Sequence, residues 1–328
     1  MTISIICTVL NEGEAIRKLL DSLVAQTHQP DEIVIVDGGS TDNTVTVIKQ
    51  YQSHLPIEII IAPGANISRG RNIAIEAAQG SIIASTDAGV RLSPEWLARL
   101  IAPFQADHAP AVVAGFFVPD PQSTFEVAMG ATVLPTASDI DPDSFLPSSR
   151  SIAFLKSAWQ EAGQYPEWLD FCEDLIFDLR LHDLHGPFPF EPQAVAYFRP
   201  RRNLSAFFKQ YYQYSRGDGK ADLWRKRHAI RYVTYLVGGP LLLWLGARQS
   251  PWWWGVGGLL GAIGMFVTPY RRLTSMWAEL SPVEKVKAMA WVPVIRITGD
   301  MAKMIGYPVG WKWRLERIDE QSELRWRE

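Results

Sequence analysis

Cysteine is nearly missing from this chain: its 328 residues hold two, Cys7 and Cys172. That excludes a disulfide framework and fits a reducing compartment. Charge is sparse and almost balanced. Charged residues make up 20% and the net charge is −3, which argues against a dedicated nucleic-acid partner. The opening stretch "MTISIICTVLNEGE" has neither a basic leader nor a small-residue cleavage pattern, so it reads as a first strand and not as a signal peptide. No internal repeat is visible. A phosphate loop is missing too: "YSRGDGKADL" has Tyr214 at the first glycine position and Ala221 where Ser or Thr is required.

What is present begins with a core. Hydrophobic residues make up 47% of the chain, ample for one large domain or two ordinary ones. Residues 1 to about 118 alternate short β-branched runs with helical spacings. Residues 3–10, "EIVIVDGGS", "IEIIIA", "SIIAST" and "AVVAGFFV" read as strands. Between them, helices are expected over residues 15–23, 42–51, 69–79 and from Ser93 onward. Such alternation predicts a mostly parallel, Rossmann-like α/β sheet covered on both faces. Ligands bind such sheets at the carboxyl ends of strands. Residues 8–12, 37–41 and 87–91 fall there. Residues 119–150 read as a loop, helical around residues 125–132, with further helices over residues 173–184 and 203–215.

The C-terminal third is a different material and holds most of the 13 Trp. Residues 232–247 and 251–270 carry no charge. A helix needs about 20 apolar residues to cross the hydrocarbon core, so the second run qualifies and the first is marginal. Arg225, Lys226, Arg227 and Arg231 precede the pair, and Arg271 and Arg272 follow it. By the positive-inside rule both ends face the cytoplasm. Gly257 and Gly261 have the spacing for close helix contact. A buried soluble hairpin is the alternative. Residues 286–306 place Arg296, Asp300 and Lys303 on one helical face, as an amphipathic helix on a membrane surface or on the rest of the protein.

Several short stretches carry chemistry. Asp37 closes a strand before Gly38-Gly39, where its carboxylate can accept from a base or ribose, or merely stabilise the bend. Asn11-Glu12 follows the first strand and fits a ligand contact or a helix cap. Arg71 stands near a helix N-terminus, a place that does not favour a cation, which points to a ligand. Glu173-Asp174 opens a helix, where carboxylates are welcome, yet its apolar neighbours Phe171, Leu175 and Ile176 suit a desolvated base. In "STDAGVRL", Asp87 ends a strand, and Gly89 stands where a diphosphate–cation site usually has its second carboxylate.

Taken in order, "TVLNEGEAIRKLLDSL", "IVIVDGGSTDNT", "SRGRNIAI", "STDAGVRL" and "FCEDLIFDLRL" resemble the family 2 glycosyltransferases, which have the GT-A fold. The resemblance covers roughly residues 1–220. It implies a GT-A domain over 1–220 and a helical membrane-associated region over 221–328. The implied activity is inverting transfer of a sugar from a nucleotide-diphosphate sugar to a lipid-linked or glycan acceptor, at the cytoplasmic face of the cell (inner) membrane. The resemblance places the nucleotide sugar on Thr8, Asn11, Glu12, Asp37 and Arg71, and on the stretch Asp87, Ala88, Gly89 and Arg91. It makes Asp174 the catalytic base with Glu173 beside it, and gives Tyr214 and Arg216 to the acceptor or diphosphate. A divalent cation, Mg²⁺ or Mn²⁺, would sit on Asp87, but Gly89 removes the second carboxylate, and Arg91 is then a candidate counter-charge. A non-catalytic sugar-nucleotide or glycan-binding membrane subunit on the same fold is the rival reading.

Overall fold

The computed structural model describes residues 1–326. In chain order the regular elements begin with β1 (Ile3–Val9), α1 (Arg17–Val24), β2 (Glu32–Asp37), α2 (Thr44–Gln50), β3 (Ile57–Ile61) and α3 (Ile67–Ala77). Next come β4 (Ile82–Ser85), β5 (Val90–Leu92), α4 (Trp96–Ile101), β6 (Val112–Pro119), α5 (Thr124–Val133), β7 (Ile152–Leu155) and α6 (Lys156–Glu161). The chain continues with α7 (Glu173–His185), β8 (Phe190–Phe198), α8 (Leu204–Lys220), α9 (Arg225–Val233), α10 (Gly239–Arg248), α11 (Trp252–Ser275) and α12 (Pro282–Leu315). Two compact units result. The first is Met1–Asp120 with Thr136–Arg199; the second is Pro121–Pro135 with the chain from Pro200 onward.

The first unit is an eight-stranded mixed sheet, ordered β3-β2-β1-β4-β7-β6-β8-β5. Four of its seven neighbouring pairs are parallel, and β4/β7, β6/β7 and β5/β8 are antiparallel. Residue alternation along the central strands explains how both faces are covered. Ile3, Ile5, Cys7 and Val9 of β1 point to one core with Leu19, Leu20, Val47, Trp96 and Leu100. Ile6 of β1 and Val34 and Val36 of β2 point to the other, with Ala74, Ile75, Trp159, Phe177 and Leu181. A period of two with both sides apolar is what a doubly covered sheet demands. Because β1, β2 and β4 run parallel, their carboxyl ends share one edge.

The second unit is helical. Helix α8 is capped by Asn203, whose side chain accepts from the Ala206 amide, and it packs against the 34-residue α12. Glycines make that packing close. A Cβ on Gly310 would lie 2.0 Å from the Arg216 carbonyl oxygen, and one on Gly306 2.3 Å from that of Tyr212. Helix α5, within the expected loop, is capped by Ser123 and adds Phe125, Ala128 and Met129 to a core with Phe207, Val292 and Ile295. Residues Arg225–Arg248 form one continuous helical stretch that is long and apolar enough to cross a membrane by length and composition. Exposed apolar side chains run along it and along α11, among them Leu236, Leu243, Leu259 and Leu260. Large exposed apolar surfaces mark interaction sites. The close contact between α10 and α11 differs from the expected Gly257/Gly261 pair. Gly257 sits against Leu242 and Gly246 against Trp254, while a Cβ on Gly261 would meet nothing within 4 Å.

Candidate functional site

Two loops at the shared strand edge, after β1 and after β2, are tied together by short polar side chains. The Asn11 backbone adopts φ 54°, a left-handed conformation that Asn tolerates better than most residues. Its Oδ1 accepts from the Thr41 amide at 2.8 Å, and its own amide donates to Ser40 Oγ at 2.8 Å. The Glu12 and Gly13 amides donate to Thr44 Oγ1 at 2.9 and 2.8 Å. Asp37 is buried and accepts from the Ser40 amide at 3.0 and 3.2 Å and from the Ser40 hydroxyl. It therefore stabilises the bend in which Gly39 adopts φ +101°, a conformation suited to glycine. Thr8 lies against Gly70, where an added Cβ would come within 2.8 Å of Thr8 Cγ2. That contact seats the first turn of α3 directly on β1.

Arg71 is the centre of the site. It is 3% exposed, and its guanidinium donates to Glu173 Oε1 at 2.6 Å and to Asp87 Oδ1 at 2.9 Å. The Tyr165 ring lies 5.3 Å from the guanidinium carbon. These two carboxylates explain how a cation is tolerated near the start of α3, where the helix dipole opposes it. The second Asp87 oxygen faces Arg150 Nε at 3.4 Å, and the Arg150 guanidinium also lies over the Phe198 ring. Asp87, Arg71 and Glu173 are thus brought into direct contact, and Asp174 follows Glu173 at the start of α7. Asp174 is half-buried and accepts from the Leu175 amide at 2.9 Å. Cys172, just before them, adopts φ 66°. Such a backbone costs about 1–3 kcal/mol and is typical of functional sites.

Burial governs the acids of α7. Desolvation and the adjacent Asp174 push Glu173 up to about 7, while Arg71 pulls it back. Asp178, one turn past Asp174, is 1% exposed, and its Oδ2 has no hydrogen-bond partner among the described residues. Burial, then the charge of Asp174, pushes its carboxyl well above the usual carboxylate range. Burial thus disfavours the charged form of Asp178 in the interior of α7.

The remaining expected residues lie elsewhere or contribute backbone. Ala88 is buried. Gly89 has open space where a Cβ would be and no left-handed φ. Arg91 lies in β5, between buried Val90 and Leu92, and its exposed guanidinium stacks 4.2 Å from the Tyr197 ring centre. The second arginine on Asp87, after Arg71, is Arg150, which the sequence reading missed because it stands in an aperiodic loop. Asp178 and Tyr165 were missed as well; Asp178 shares its helical face with Asp174, a spacing that could have signalled it. Tyr214 and Arg216 belong to α8 in the second unit. There the Tyr214 hydroxyl accepts from Gln210 Nε2 at 2.8 Å, and the Arg216 backbone packs on Gly306 and Gly310.

The donor set for a divalent cation is thin. Among the described residues no group of three His, Cys, Asp or Glu side chains gathers around one point. Asp87 is the single carboxylate of its stretch, and both its oxygens already face guanidinia. Among the described residues Asp87 offers a cation one carboxylate, so a divalent ion there would take its remaining oxygens from water and a diphosphate.

A mixed sheet with its polar residues at one carboxyl edge is the arrangement of a GT-A domain. Residues 4–142 match the model of glycosyl transferase family 2, and the chain carries a family 2 glycosyltransferase domain. An uncharacterized glycosyltransferase of Nostoc sp. is 37% identical over 115 residues, covering 34% of this chain and 36% of that protein. A poly-beta-1,6-N-acetyl-D-glucosamine synthase of Staphylococcus epidermidis is 21% identical over 257 residues, covering 72% of this chain and 60% of that protein. The chain spans about a third of the length of the curated relatives it matches first. Mannosyltransferase PcManGT from Pyrobaculum calidifontis, solved in complex with GDP-Man and Mn²⁺, has a TM-score of 0.56 at 16% identity. That match covers 97% of this chain and 88% of that one. At such identity the likeness shows the fold alone.

Proposed function

We propose that this chain is an inverting glycosyltransferase that moves a sugar from a nucleotide-diphosphate donor to a lipid-linked or glycan acceptor at the cytoplasmic membrane face. The observation that carries the reading is the buried Arg71 guanidinium bridging Asp87 and Glu173. It joins the loop after β4 to the start of α7, next to Asp174. In this reading Asp174 takes the proton from the acceptor hydroxyl as that oxygen attacks the anomeric carbon, and the nucleotide diphosphate leaves from the opposite face. The loops after β1 and β2, with Thr8, Asn11, Glu12 and Asp37, hold the nucleotide. The exposed apolar helices, with Arg225, Lys226 and Arg227 before them and Arg271 and Arg272 after them, support membrane attachment with the catalytic domain cytoplasmic.

The thin cation site favours one rival, a sugar-nucleotide or glycan-binding membrane subunit without turnover. Donor hydrolysis and transfer by the detergent-solubilised chain separate the two. Asp174→Asn should lower turnover by about 10²–10⁴-fold, the range of general base catalysis, with donor binding retained. Full activity in Asp174→Asn would remove the base assignment. Donor binding by the wild type with no turnover of any donor would favour the subunit.

A further inference from the structure

The charged face of α12 is partly covered by the chain around α9. Arg296, Asp300 and Lys303 follow one another at helical spacing, and Asp300 is 5% exposed. Arg231 Nε of α9 donates to Asp300 Oδ1 at 2.8 Å, while the Tyr235 hydroxyl donates to Oδ2 at 3.0 Å. Arg296 Nε stands 3.4 Å from the same Oδ2 without hydrogen-bonding geometry, and that buried nitrogen has no hydrogen-bond partner among the described residues. The Lys303 ammonium lies 4.9 Å from the Tyr211 ring centre. Arg231 and Arg296 therefore share one carboxylate, and Lys303 stands within the pull of Asp300 and of Asp218. Burial, then the charge of Arg231, pushes Lys303 down to about 8, against the pull of Asp300 and, more weakly, of Asp218. Gathering surplus cations in a partly buried place is costly unless an anion completes it. Three cations thus face two carboxylates, and the Arg296 Nε donor has no hydrogen-bond acceptor among the described residues.

The cluster's surroundings say which kind of anion fits. Arg231 immediately precedes the apolar stretch of residues 232–247. Val233 and Leu236 are exposed after it, and Ile297 and Ile305 are exposed on α12. An anion that arrives with an apolar tail finds surface for both parts. Guanidinia present planar donor pairs that match phosphate oxygens, and an ammonium adds a point charge. We propose that Arg231, Arg296 and Lys303 form a binding site for the phosphate headgroup of a membrane lipid. The inference rests on the membrane part of the proposed function and not on glycosyl transfer.

The test uses the full chain in neutral detergent and a fluorescent long-chain isoprenyl monophosphate as probe, read by anisotropy. Arg296→Gln combined with Lys303→Gln should weaken binding at least tenfold. Lys287→Gln combined with Lys312→Gln removes the same charge from exposed positions of the same helix and should change binding less than twofold. Arg296→Lys combined with Lys303→Arg keeps the charges and should stay within threefold of the wild type. The isoprenyl alcohol and inorganic phosphate, each at the probe's concentration, should not displace it. Displacement by phosphatidylglycerol as effective as by unlabelled monophosphate identifies bulk anionic lipid as the source; weak displacement identifies a monoester such as a lipid-linked acceptor. Wild-type binding in the double Gln variant, equal loss in the Lys287/Lys312 control, loss in the charge-preserving variant, or displacement by inorganic phosphate would each overturn the proposal. None of these readouts involves turnover, so they fail independently of Asp174→Asn.

Discussion

Arg71→Met tests the centre of the site because it removes the charge and keeps much of the volume. The guanidinium lies 2.6 Å from Glu173 and 2.9 Å from Asp87 and is 3% exposed. Removing one partner of a buried ion pair costs about 3–5 kcal/mol. The cost should depend on pH, with a sign the structure sets. Glu173 is raised to about 7 in the folded wild type. A carboxyl whose folded pKa is raised contributes stability at low pH that is lost as pH rises towards the folded pKa. Without Arg71 its pKa rises further, and the loss continues past pH 7 at about 1.4 kcal/mol per pH unit. At pH 5.5 Glu173 is protonated in both proteins, so its share of the penalty is near zero. At pH 8 it adds about 1.4 kcal/mol. Amide hydrogen exchange by mass spectrometry, on peptides covering 67–77 and 173–185 at both pH values, reads the local free energy. A penalty that is the same at pH 5.5 and pH 8, or larger at pH 5.5, would refute the reasoning.

Three further outcomes are expected. Asp178→Asn removes a group whose folded pKa is raised, so the variant should gain stability relative to wild type as pH rises from about 5 to about 8; equal denaturant midpoint shifts at both pH values would count against a raised Asp178. Gly89→Asp meets open space, so it should change stability by no more than about 0.5 kcal/mol. By supplying a second carboxylate it should also tighten Mn²⁺ binding about tenfold by calorimetry in the presence of a nucleoside diphosphate, and unchanged affinity would argue that the spacing is irrelevant. Gly310→Ala drives a Cβ to 2.0 Å from the Arg216 carbonyl oxygen and 2.8 Å from the Lys220 amide. It should cost about 1–3 kcal/mol or more by overpacking, and a thermal midpoint equal to wild type would contradict the close approach of α8 and α12.

How far the fold was legible depended on local pattern. The strands β1, β2, β3, β4 and β6 announced themselves as apolar runs. The short β5 and β7, of three and four residues, did not, because their pairing partners are distant in sequence. Site residues followed the same division. Asp37 and Asp87 stand at strand ends and could be placed from the strand alone. Arg91 lies on Tyr197 for a physical reason: Val90 and Leu92 are buried in β5, so the intervening side chain points to the other face. Arg150 reaches Asp87 through a loop with no period, and only tertiary structure reveals it. The two arginines on Asp87 come from α3 and from that loop, so no spacing rule contains both.

These contacts change what the single aspartate of "STDAGVRL" means. A second carboxylate at position 89 is sterically permitted, since no atom lies within 4 Å of the place its Cβ would take. Its absence is therefore not forced by packing. The charge around Asp87 offers a cause. One oxygen is held by Arg71, itself shared with Glu173, and the other faces Arg150. Asp87 positions two guanidinia near the edge where strands end, and guanidinia carry fixed positive charge at every accessible pH. An anionic donor arriving at that edge would meet cations that the protein itself supplies. A second carboxylate would compete with the donor for the same guanidinia unless a metal entered with it. On this reasoning Gly89→Asp without added metal should weaken binding of a nucleoside diphosphate, and added Mn²⁺ should restore it. Weakening that Mn²⁺ does not reverse would leave the guanidinia as the counter-charge and the metal without a place.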